Sequence, residues 1–470
     1  MRILGASILS VLTAVSAQAK PVVPPQEAER PPQFVLLAFD GSRNIRFWKE
    51  SRAFARKTGV RFTYFISGVY FLANKDRKLY REPRRGPGRS AIGFGGKPAD
   101  IGERVEQVAL AIAEGHEIAS HANGHFNGSG YSKAQWTSEL GQFEDIMVKS
   151  WSRYSSHKEP KWWRKHFKTK MKGHRAPLLG LGSGLFKALK AKGYGYDTSR
   201  VARPGYWPKQ IGGVWNFPLA YVRIAGTRRH TLSMDYNFYV ADSGARRGSK
   251  KRFGHFEERM FKTYMDYFQH NYAGSGNRAP VDIGHHFSGW NGATYWRAMK
   301  RFAKAVCGKP EVICGTYGEL QTFLEENQHN LDTYRKGKFK KSPKRSKLYL
   351  AYAKPPKPPY TYTKPKEVLV AKAPSTPKPK PKKVRVASVV TTATSAPQPA
   401  VVVKRKSRKN RRAVYDAGIL RPDLAAMTQA ERTAYWTRVW YAKKGKTPPK
   451  AVVTAYRLAV KGQTEDTEVN

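Results

Sequence analysis

The stretch from Phe34 to Phe39, FVLLAF, is a near-continuous apolar run of strand length that ends at Asp40 and Gly41. Such a run suits a strand buried on both faces, as in a parallel sheet covered by helices, with its polar end in a loop. The helix-like stretch RNIRFWKESRAFARKTG leads from it to a second strand, VRFTYFISG at Val60 to Gly68, which makes a βαβ unit. The device repeats along the chain. RVEQVALAIAEGHEIASH predicts a helix ending at Gly115 and a short strand running into His121, and LGSGLFKALKAKGYGYDTS predicts a helix capped by Gly193 and a strand ending at Asp197. VDIGHHF is the last clear strand, and YWRAMKRFAKAV and ELQTFLEEN read as closing helices. Polar and charged residues gather just after the strands, where an α/β barrel or an open α/β sheet carries its active site.

The remaining segments do not look like core. The first nineteen residues, MRILGASILSVLTAVSAQA, combine an early Arg, an apolar run from Ile3 to Val15 and a small-x-small ending at Ala17 to Ala19. They read as a secretory signal peptide cleaved before Lys20, which implies a secreted or periplasmic mature chain. A membrane anchor would need a longer span, and no later stretch is long and apolar enough to cross a bilayer. Residues 20–31 are a Pro-rich tether and residues 32–330 the folded domain. Residues 331–412 hold Pro/Lys tracts such as KPPKPPYTYTKPK and are expected to be a disordered linker. Residues 413–470 regain a helical pattern, with a capping-box-like start at Thr428 to Glu431, but two helices are too small a core to form an independent domain.

Charge and cysteine usage narrow the setting. Lys and Arg number 86 against 34 acids, for a net charge of +52, and residues 336–412 hold 24 of those cations against one acid, Glu367. The tail is either a solvated linker or an electrostatic tether to anionic envelope polymers. A nucleic-acid partner conflicts with the signal peptide and with a basic tail whose interleaved aromatics stop at Tyr360 and Tyr362. Cys307 and Cys314 are separated by six residues that include Gly308 and Pro310, so a disulfide is expected in an oxidising compartment. A two-Cys zinc half-site is the alternative, though no His or further Cys lies nearby in sequence.

The residues that could carry chemistry come in a fixed order: Asp40, His121 and His125, Arg175, Asp197, then His285 and His286. Metal-assisted hydrolysis uses this kind of collection, with imidazoles for a divalent ion, a carboxylate to accept a proton from water, and another imidazole to protonate the leaving group. His-x-x-x-His alone is weak, since such a pair also occurs in surface turns. The ordered set AFDGS (38–42), HANGH (121–125), RAPL (175–178), YDTSRVARPGYW around Asp197 and Trp207, and IGH (283–285) resembles the polysaccharide deacetylases of the NodB-homology, carbohydrate esterase 4 family. The resemblance runs from about Phe34 to Asn327 and is nearest to a bacterial, chitin-deacetylase-like branch. It implies an irregular (distorted) β/α barrel in an α/β chain.

The resemblance also implies roles. Asp40 matches the catalytic base, His121 and His125 the metal ligands, and Arg175 the partner that keeps the base ionised. The Leu178 N–H matches the oxyanion donor, Asp197 the acid that orients the last histidine, His285 the general acid, and Trp207 a substrate wall. His286 faces the other way from His285 and is the second choice for that strand. Where the family has a second Asp after the base, this chain has Gly41. The third metal position then falls to water or to Asn123, Asp282 or Asp235, unless a gapped alignment makes Asp40 the ligand and puts Phe39 at the base position. Bland alternatives stand beside these: Asp197 as a helix cap, Arg175 as a surface cation, and Trp136, Trp151, Trp162, Trp163 and Trp290 as core.

The expected activity is removal of acetyl groups from N-acetylglucosamine-containing glycans such as peptidoglycan, chitin oligomers or poly-N-acetylglucosamine, with a divalent metal, zinc first, as cofactor. A catalytically silent carbohydrate-binding relative is the alternative, and Gly41 is its motive.

Overall fold

In a computed structural model, the protein is described over residues 28–273, 276–339 and 345–365, together with Thr437. The expected signal peptide, most of the basic linker and the C-terminal helical pattern lie outside the described residues. Among the described residues no helix is long and apolar enough to cross a membrane.

β1 (Gln33–Gly41) forms on the apolar run, and eight of its nine residues are buried. α1 (Ile45–Thr58) starts at Asn44, whose side-chain oxygen accepts the Arg46 N–H at 2.9 Å, and stops at Gly59 in a left-handed conformation with φ 72°. β2 (Thr63–Ile66) follows. α2 (Pro98–Ala113) then leads to β3 (Glu117–Ser120), and α3 (Lys133–Tyr154), opened by a Ser132/Gln135 capping box, leads to β4 (Gly173–His174). α4 (Leu185–Ala191) precedes β5 (Tyr196–Asp197), β6 (Lys209–Ile211) and β7 (Val214–Asn216). α5 (Asp235–Ser243) and α6 (Phe253–Tyr272) come before β8 (Val281–His286), and α7 (Trp290–Val306), β9 (Val312–Ile313) and α8 (Tyr317–Glu326) complete the succession.

The main sheet runs β8-β1-β2-β3-β4-β5-β7-β6, with β9 also paired to β1. All its neighbours are parallel except β6 and β7. It curls into a half-barrel, the irregular barrel that the resemblance implies. The period of two on β1 sorts its side chains into two layers. Val35, Leu37 and Phe39 pack outward with Phe47, Trp48 and Trp296, whereas Leu36 and Ala38 face inward with Phe65, Ala119, Tyr196 and Tyr317. Burying one large side chain such as Phe39 contributes about 1.5–3 kcal/mol. Asp40 continues the inward phase, and the parallel register sets it beside His286 of β8. The Cys307–Cys314 disulfide is formed, just past the end of α7.

The boundary expected at residue 330 needs correction. Residues 331–339 and 345–365 include helices Leu331–Arg335 and Lys347–Ala353, and Leu331 and Tyr334 are buried. Tyr360 stacks on Trp162 with ring centroids 4.6 Å apart and planes 8° apart, and Tyr362 packs edge-on against Trp151. The tyrosines explain the difference. Pro/Lys tracts cannot bury a core, but aromatic rings inserted at intervals can grip one that already exists. At the other end, Ala28, inside the expected tether, is buried and bridges Phe339.

Candidate active site

The carboxyl ends of β1, β3, β4 and β8 point to one end of the half-barrel and surround a cleft of about 430 Å³. Its wall includes Asp40, Gly41, His121, His125, Leu178 and His286.

Asp40 is buried, and its Oδ1 accepts from Arg175 Nη1 at 2.8 Å. Burial alone would push the carboxyl pKa up. The charge and hydrogen bond of Arg175, with the charge of His286 when protonated, outweigh burial and hold it below the ordinary value. Arg175 is fully buried, donates to Thr198 Oγ1 at 2.6 Å and Tyr317 Oη at 2.9 Å, and lies 4.3 Å over the Phe65 ring. The Tyr317 hydroxyl in turn donates to Asp282 Oδ1. Burial pushes the Asp282 carboxyl up to about 7 despite the nearby arginine.

His121 Nδ1 lies 2.8 Å from the Arg175 carbonyl oxygen. Burial pulls its pKa down to about 3, so the ring is neutral near pH 7, with the proton assigned to Nδ1 and the Nε2 lone pair left available. A carbonyl fixing the far nitrogen in this way is a common support for a metal-ligating histidine. His125, at φ 57°, sets its ring 5.1 Å from that of His121, and burial lowers its pKa as well.

On the facing wall, His286 Nδ1 is 2.7 Å from Asp235 Oδ1, and the His286 backbone N–H donates to Asp235 Oδ2 at 2.9 Å. Burial pushes this imidazole down. The Asp235 charge and hydrogen bond overcome it and hold the pKa above the ordinary value. His286 is 26% exposed, on the cleft side.

Three expectations are corrected here. His285 is on the outer face of β8, 1% exposed, with Nε2 3.3 Å from the Tyr264 hydroxyl; His286, not His285, reaches the cleft because it shares the inward phase of Asp40. Asp197 does not orient that histidine. It pairs with His174 Nδ1 at 2.8 Å and accepts from the Ser199 N–H and hydroxyl, and Ser199 Oγ accepts the Ala176 N–H at 2.7 Å, so Asp197 braces the backbone leading to Leu178. Trp207 is buried against Tyr334 and donates to the Asn277 carbonyl, away from the cleft.

Tyr70, Tyr236, Phe287 and Trp290 supply the aromatic wall instead, and Tyr239 stacks on Trp290 at 5.1 Å and 6°. Leu178 is 63% exposed at the rim with φ 56°. Asp235 and this wall were not assigned these roles from the sequence. The usable signal was phase: on β8, Asp282, Gly284 and His286 share the face of Asp40.

Each reserve for the third metal position is engaged elsewhere. Asn123 donates to the Glu139 carbonyl at 2.8 Å, Asp282 accepts from Tyr317, and Asp235 holds His286. Phe39, the base position of the gapped alignment, lies in the outer layer 5.0 Å from Trp296. Among the described residues no group of three or more His, Cys, Asp or Glu is arranged to hold a metal ion. Two neutral imidazoles, His121 and His125, stand together on the cleft wall, one ligand short of a usual catalytic zinc site.

No protein-family profile and no curated protein match the sequence. Among solved structures, the chain is similar to one assigned as a polysaccharide deacetylase from Mycobacterium smegmatis, at 13% identity and TM-score 0.40, over 64% of this chain and 96% of that one. It is also similar to the chitin deacetylase of Colletotrichum lindemuthianum, at 14% identity and TM-score 0.33, over 62% and 88%. A third is a carbohydrate esterase family 4 pseudoenzyme from Bacillus anthracis, at 9% identity and TM-score 0.33, over 63% and 67%.

Proposed function

We propose that this chain is a secreted polysaccharide deacetylase that hydrolyses acetyl groups on an N-acetylated glycan. One observation carries the reading: a carboxylate paired with Arg175 and an imidazole paired with Asp235 line the same cleft. Asp40 takes a proton from water as the oxygen attacks the acetyl carbon. The Leu178 N–H faces the negative charge that develops on the acyl oxygen. His286 then gives its proton to the leaving nitrogen as the C–N bond breaks, so that acetate and a free amine result. His121 and His125 would hold a divalent ion, zinc first, and such an ion supplies Lewis-acid polarisation when bound. Tyr236 and Trp290 offer ring faces for sugars. The signal-like N-terminus motivates secretion, and the Lys/Arg-rich tail motivates retention on anionic envelope polymers. The test is acetate release from N-acetylglucosamine oligomers, with and without added zinc or cobalt. A rate no higher than that of Asp40→Asn under either condition overturns the reading.

A second reading, a catalytically silent carbohydrate-binding relative, is favoured by Gly41 and the two-imidazole donor set. Saturable glycan binding without acetate release would select it.

A further inference from the structure

Two residues of the cleft wall carry a permanent charge, Asp40 and Arg43. Asp40 is offset by Arg175, and His286, when protonated, by Asp235. Arg43 is exposed and has no ion-pair partner among the described residues, and its guanidinium carbon lies 5.8 Å from the centre of the Tyr70 ring in the same wall.

Two loops continuing from the wall carry the same sign. Residues 81–92, REPRRGPGRSAI, run into Ile92 of the cleft and expose Arg81, Arg84, Arg85 and Arg89; the single acid, Glu82, is buried and pairs with Arg85 at 3.1 Å. Arg85 lies 4.2 Å over Phe126, the neighbour of His125. Residues 245–252, ARRGSKKR, follow the helix that bears Tyr236 and expose five cations with no acid, and the Gly248 N–H is bonded to Asn291 beside Trp290.

A polymer closing over the cleft would strip water from Arg43. A neutral sugar returns only neutral hydroxyl or carbonyl acceptors, whereas a carboxylate or sulfate on the glycan returns paired, charge-assisted hydrogen bonds. Resting on the deacetylase reading above, we infer that the glycan is acidic, with an anionic group on the acetylated sugar or its neighbour received by Arg43 and further anions held by the two flanking loops.

The experiment compares N-acetylglucosamine oligomers with the same oligomers carrying a carboxylate, or in a second arm a sulfate, at the sugar C6. The full chain should favour an anionic oligomer by about fivefold or more in kcat/KM at low salt, with the advantage shrinking as salt rises. Arg43→Gln should reduce the anionic substrate more than the neutral one, mainly through KM. Equal kcat/KM for neutral and both anionic oligomers, or an advantage that Arg43→Gln leaves intact, overturns the inference. If no oligomer is turned over, the deacetylase reading fails separately, and titration of the same oligomers decides this one. Tighter, salt-sensitive binding of an anionic oligomer supports it, and equal binding overturns it.

Discussion

The two halves of the cleft are built differently. In the half formed by Asp40 and His286 each working group has its own counter-charge, Arg175 for the carboxylate and Asp235 for the imidazole. In the half formed by His121 and His125 the rings are neutral, one is fixed by a carbonyl, and among the described residues no third group completes a ligand set. Burial explains the contrast. It raises the cost of every charge, so charged groups need partners, whereas a buried neutral imidazole needs only its far nitrogen satisfied. On the proposed reading, the groups for proton transfer are paired in the folded chain, while the metal ligands are one short.

The largest effect that would break this division comes from Asp40→Asn. Acetate release should fall about 10²–10⁴-fold, measured under saturating metal. The same change leaves Arg175 buried without its carboxylate, so the melting temperature should fall too; breaking a buried pair costs about 3–5 kcal/mol.

His286→Ala should cost about 10²-fold in kcat, and because it leaves buried Asp235 without its counter-charge the melting temperature should fall as well. His285→Ala should lower the melting temperature while sparing kcat, because that ring packs in the outer layer against Tyr264. Equal kinetic damage from both would blur the assignment.

The pH profile sharpens the comparison. Asp40 has a lowered pKa, so the base stays ionised to lower pH than an ordinary carboxylate; His286 has a raised pKa, so the acid stays protonated to higher pH than an ordinary imidazole. Turnover should hold a plateau between those limits. In Asp235→Asn, burial acts on His286 against the Asp40 charge alone, and the alkaline limb should move to lower pH.

The smallest effect should come from Gly41→Asp. A Cβ there would meet only Tyr70, at 3.5 Å, but φ is +81°, so added backbone strain of about 1–3 kcal/mol opposes the gain from a third ligand. Zinc affinity by calorimetry should rise by about tenfold or less.

Much of this was legible in the chain itself. FVLLAF marks the central strand because both of its faces are covered, and Asp40, His121, His125, Arg175 and Leu178 stand out as an ordered set whose members meet at the strand ends. Phase on β8 was harder to read. VDIGHH is buried on both faces except at its tip, so apolar content does not distinguish inside from outside, and Ile283-Gly284-His285 fits the expected spacing as well as its neighbour does. Only the register with β1 decides. Asp235 acts across 51 residues of sequence, and a contact of that range leaves no local pattern. Trp207 marked burial and not a wall, as large aromatics usually do.

Zinc titration of wild type, Asp40→Asn and His125→Ala tests the division between the two halves most directly. The account predicts that Asp40→Asn binds zinc as wild type does while His125→Ala loses it. Loss of zinc in Asp40→Asn with binding kept in His125→Ala would contradict it, and would make the carboxylate the ligand.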